Sequence, residues 1–159
     1  MKQTGLPLLL LTIIPFFAFL TGCDFNTAEE KEFNRQLDNI TLEKQVRFSD
    51  LEMLQSFTRV CILRPYAIRA SGQEQSLEKL FLNINYGPMK NEIFNAADDD
   101  AKWSIYLING QNIEGRLSIK SRSIKSDVPF ESGCYAPERV CLKKLQEQKS
   151  VFVNLSVCN

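Results

Sequence analysis

The chain has 159 residues, with 19 basic and 19 acidic side chains and no histidine. Its charge balance argues against a nucleic-acid or other polyanion partner. Without histidine, Ser-His-Asp and Cys-His nucleophile activation and histidine-ligated zinc or haem are excluded, which leaves carboxylate, Ser-Lys or thiol chemistry.

The N-terminus is a targeting segment. Met1 to Gly5 carry one positive charge, on Lys2, and Leu6 to Leu20 form an apolar run broken only by Thr12 and two prolines. A membrane-spanning helix needs about 20 apolar residues, and no basic cluster follows to stop transfer. A secretory signal peptide fits the pattern better.

The segment closes on Leu20-Thr21-Gly22-Cys23, which resembles a bacterial lipobox. That resemblance implies removal of residues 1–22 and lipidation of Cys23 with diacylglycerol and an acyl group such as palmitate. One acyl chain holds a protein only marginally, whereas several on one residue make attachment durable. In enteric-type bacteria an aspartate after the lipidated cysteine, here Asp24, implies retention at the inner membrane, although Phe25 is not among the residues that reinforce the signal. The implied location is the cell envelope, anchored facing the periplasm, with the inner membrane favoured over the outer.

With Cys23 as an anchor, Cys61, Cys134, Cys141 and Cys158 remain in the body. An even number in an exported chain predicts two disulfides, with three connectivities open. Cys134 and Cys141 flank the turn-prone "YAPERV", which predicts that they pair and that Cys61 pairs with Cys158. A redox or metal site is the alternative, but the spacing contains no Cys-x-x-Cys.

Residues 23–45 read as the lipidated N-terminus followed by a tether or short helix. Thr27 and Glu30 have capping-box spacing, and Phe33, Leu37 and Ile40 recur on one helical face, so a helix that lifts the body off the bilayer is expected. Residues 46–159 then form one globular domain. "SFTRVCILRPY" predicts a strand over 57–64 that ends before Pro65. A helix is predicted from Ser71, with Glu74 completing a capping box, a stripe of Leu77, Leu80, Phe81 and Ile84, and Gly87-Pro88 as the stop.

Asp98, Asp99 and Asp100 are adjacent, lack the alternate spacing and glycine of a calcium loop, and read as a solvated loop. Next comes a hairpin: Trp103, Ile105 and Leu107 alternate with polar positions, Asn109-Gly110 offers a positive-φ turn, and Ile113, Leu117 and Ile119 return, with Gly115 a candidate bulge. Val151, Val153, Leu155 and Val157 alternate in a final strand. The fold class is α+β: a small antiparallel sheet of four to six strands with one main packed helix, stapled by disulfides.

No residue pattern marks a catalytic centre or a metal or cofactor site. Serines near Lys120 and Lys125 sit in what reads as an exposed strand end, and carboxylate pairs are too common to discriminate a hydrolase. Asn39 and Asn154 match a glycosylation sequon that is idle in bacteria. Trp103, Tyr106, Tyr66 and Tyr135 are aromatics of interface-anchoring type, and residues 116, 120, 122 and 125 are basic. Trp103, Tyr106, Arg116 and Lys120 are therefore the candidate partner-binding residues, with a solvated strand face as the alternative for the basic ones.

"RVCILRPY" and "WSIYLINGQ" give the chain a general similarity to the small immunity lipoproteins of bacterial type VI secretion systems. This resemblance implies a non-enzymatic, periplasm-facing protein that binds and neutralises a toxin. A structural or assembly lipoprotein of the envelope and a carboxylate-based hydrolase are the competing classes.

Overall fold

The computed structural model describes residues 27–65, 74–98, 101–120, 124–126, 130–148 and 150–158. Cys23, Asp24, Tyr66, Ser71, Asp99, Asp100 and Arg122 lie outside them.

The first described element is α1, Ala28–Asp38, and the capping box forms as its spacing predicts: Glu30 N donates to Thr27 Oγ1 at 3.2 Å and Thr27 N to Glu30 Oε2 at 3.2 Å. The spacer role is corrected. Phe33, Leu37 and Ile40 are buried in the main core, so α1 is a structural wall of the body. Glu30 ties it down a second time, because its Oε1 accepts from the backbone N–H of Ser118 at 2.6 Å.

Eight strands follow among the described residues: β1 Gln45–Arg47, β2 Arg59–Leu63, β3 Lys102–Asn109, β4 Asn112–Lys120, β5 Ile124–Ser126, β6 Gly133–Tyr135, β7 Val140–Glu147 and β8 Ser150–Val157. They form two four-stranded sheets, ordered β1-β7-β8-β5 and β4-β3-β2-β6. All pairings are antiparallel except β5 with β8. The α+β class holds, with the strands divided between two layers because β2 and β3 are apolar on both faces. Val60, Ile62, Trp103, Ile105 and Leu107 point into the sandwich against Val140, Leu142, Val153 and Leu155 of the other sheet. Cys61, Leu63, Tyr106 and Ile108 point the opposite way, where Leu77, Ile93, Ala96 and Ala97 of two further helices, and Phe81 just after the first of them, cover them.

Those helices are α2, Glu74–Leu80, and α3, Lys90–Asp98. The expected single helix stops short of Gly87-Pro88, as the chain turns at Asn83 with φ +63°. Gly87-Pro88 instead opens a 3-10 turn leading into α3, since proline's fixed φ and missing N–H suit the first turn of a helix. The hairpin forms, with Gly110 (φ +60°) at the first central position and Asn109 closing β3. The predicted irregularity is present: the β3–β4 register shifts so that Leu107 faces Gly115 and Ile108 faces Ile113. A Cβ on Gly115 would lie 3.2 Å from Leu107 Cδ1, so glycine permits the close packing there.

The disulfide pairing differs from expectation: Cys61 joins Cys134 and Cys141 joins Cys158. The "YAPERV" insert is the reason. Its Pro137–Arg139 turn carries the chain from one sheet to the other, so Cys134 and Cys141 end in different layers. Cys61 and Cys134 are instead register partners on β2 and β6, with Cα atoms 3.9 Å apart. Cys158 follows the end of β8, its N–H donating to Arg139 O, diagonal to Cys141 on β7. Each bridge therefore staples one sheet.

Three outcomes are expected. Non-reducing peptide mapping should recover Cys61 linked to Cys134 and Cys141 linked to Cys158, and losing the first bridge should cost about 4 kcal/mol and the second about 3 in the chain-entropy treatment. Phe33→Ala should destabilise the body by about 3 to 5 kcal/mol in denaturant melts, as for a core phenylalanine, where a spacer helix would show almost no change.

Candidate functional site

Strand alternation separates the residues that sequence reasoning grouped as a binding surface. Trp103 faces Ile119 inside the sandwich and packs on Phe130 at 6.4 Å between ring centroids, 5 % exposed. Tyr106, fully buried, faces the helices and meets Phe81 edge-on at 5.6 Å. Neither ring is a surface anchor, because both faces of β3 are covered, the Trp103 face by the second sheet and the Tyr106 face by the helices. Tyr135, half-buried, stacks on Phe130 at 5.2 Å. Lys120 is exposed at the end of β4.

Tyr106 and Arg116 do come together. They are cross-strand partners on the helix-facing side of β3 and β4, next to the partners Ser104 and Ser118. The guanidinium carbon of Arg116 lies 6.0 Å from the Tyr106 ring centroid. Arg116 Nη1 donates to Glu92 Oε1 of α3 at 2.6 Å, and Nη2 donates to Ser118 Oγ at 3.0 Å. The sequence held no signal for Glu92, which joins the cluster through packing of α3 over β3, whereas strand alternation already places Ser104 on the Tyr106 face.

Three buried polar atoms lie here without a well-formed hydrogen bond among the described residues, Ser104 Oγ, Tyr106 Oη and Arg116 Nε, although the Ser104 hydroxyl is near enough to the phenol to favour its ionised form slightly. Burial pushes the Tyr106 phenol up to about 12, the charge of Arg116 opposing it. At neutral pH the cluster holds an uncharged phenol beside a cation that Glu92 neutralises. The phenol and the guanidinium can donate hydrogen bonds, and the Glu92 carboxylate accepts one.

A second feature is an open groove of about 450 Å³ where α1 meets both sheets. Leu37, Ile119, Phe152 and Val153 form its apolar floor, Val151 is an exposed wall, and Lys144 Nζ on the rim donates to Asp38 O at 2.9 Å. No group of three or more Cys, Asp or Glu side chains able to hold a metal occurs among the described residues, and none of their helices is long and apolar enough to cross a membrane. No protein-family model matches the chain, and comparison with curated proteins and with solved structures returns no match.

The buried phenol sets an alkaline stability limit. An unfolded phenol ionises near pH 10 and the folded one near 12, so stability from this group is intact below 10 and falls as pH rises to 12. Tyr106→Phe should flatten that loss in melts collected from pH 9 to 12. Glu92→Gln should cost at most about 1 kcal/mol, decreasing with salt, because the pair is partly exposed.

Proposed function

We propose that this chain is an exported lipoprotein of the bacterial envelope, anchored through Cys23, that works by stoichiometric binding to another protein and serves as an immunity protein against a toxin in the same compartment. The observation that supports export most directly is the pairing of all four body cysteines into two bridges. Such bridges persist in oxidising compartments, which agrees with the signal segment and lipobox-like sequence at Cys23.

Binding needs no catalytic centre, only a rigid complementary surface. The groove beside α1 supplies apolar floor and mixed charges on elements fixed by the core and by the Cys141–Cys158 bridge, a preorganised arrangement that limits the ordering cost of association. Trp103 and Tyr106 are left out of this surface, as is Arg116, which points to the helix-facing side of β4 and is tied to Glu92, while Lys120 is exposed at the end of that strand.

Mass analysis of the membrane-extracted protein should give a chain beginning at acylated Cys23, and Cys23→Ala should abolish palmitate incorporation. The acyl-less body from Asp24 onward should capture a toxin encoded beside it. Deleting the gene should poison the cell only while that toxin gene is intact. Envelope leakiness without an adjacent toxin would point to an assembly lipoprotein instead.

A further inference from the structure

We infer that the first turn of α1 and the C-terminal end of β4 form the face that lies on the bilayer, where Lys31 and Lys120 meet phospholipid headgroups. The inference rests on the lipid-anchor reading above and adds to it which side of the body meets the membrane.

Its basis is the length of chain left between anchor and body. Because α1 is built into the core from Phe33 onward, with Glu30 fastened to Ser118, nothing after Thr27 can act as tether. Only Asp24, Phe25 and Asn26 separate Cys23 from Thr27. Four residue steps reach at most about 14 Å. A domain of this size has a radius of gyration of about 14 Å and is therefore roughly 36 Å across. A tether shorter than half that width cannot pass around the body, so its attachment point must stay at the membrane.

The surroundings of that point are fixed by the sheet order. Ser118 lies beside the cap of α1, and β4 is one edge of its sheet while β6 is the opposite edge. Lys31 and Lys120 are exposed at this pole together with Glu29. The carboxylate of Glu30 is turned inward onto Thr27 N and Ser118 N, so it does not oppose the lysines from the surface. Residues 133–139, comprising β6 and the turn after it, lie at the opposite edge of that sheet, three strands from β4, and are expected to sit farther from the membrane.

The full chain, produced with its signal and inserted in phosphatidylglycerol-containing nanodiscs with a headgroup spin label, tests this by amide line broadening. Broadening should be several-fold stronger at residues 27–31 and 118–120 than at 133–139. A uniform or inverted pattern in verified acylated protein overturns the orientation alone, whereas an unacylated Cys23 overturns the anchor reading and this inference with it. Inserting a Gly/Ser spacer of about twelve residues after Asn26, which adds roughly 20 Å of mean reach, should remove the contrast. Combined Lys31→Glu and Lys120→Glu should diminish it, and an unchanged pattern in that variant overturns the headgroup contact.

Discussion

Two strands that are apolar on both faces set the architecture. β2 and β3 alternate, but each face carries large side chains, Val60, Ile62, Ile105 and Leu107 on one and Leu63, Tyr106 and Ile108 on the other. Each such side chain contributes about 1.5 to 3 kcal/mol when removed from water, so neither face can remain open. The second sheet covers one and the paired helices cover the other. α1 then closes the side of the sandwich along β4, where it packs its own apolar stripe into the same core.

Glu30 connects these layers through one carboxylate. One oxygen caps α1 and the other accepts the Ser118 amide on edge strand β4. Edge strands expose unpaired donors that invite pairing with other chains, and here a side chain from a neighbouring helix occupies one of them. β1, β5 and β6, the other edges, are three residues each, too short to template much pairing.

What could be read from the sequence was local. The Thr27 capping box, the alternation in β3, β4 and β8, and the bulge beside Gly115 each depend on residues a few positions apart, and each formed. What could not be read depends on partners remote in the chain. Disulfide connectivity follows from the order of strands and from a turn that switches sheets. The burial of Trp103 and Tyr106 follows from covers supplied elsewhere. β7 carries Lys143-Lys144-Leu145-Gln146-Glu147, a composition equally suited to a helix, and only pairing with β8 fixes it as a strand. Of the candidate site, Arg116 was visible as a basic residue on a strand, but its tie to Glu92 was not, since 24 residues separate them.

The Cys61–Cys134 bridge encloses a long stretch of chain that includes α2, α3, β3, β4 and β5. A single peptide-bond cut anywhere inside that loop leaves two pieces still joined by sulfur and still registered by the strands around it. Protease attack on the connections between those elements is therefore a nick, not a loss of mass, and the cut molecule keeps its sheet. This topology separates damage to the chain from dissolution of the fold.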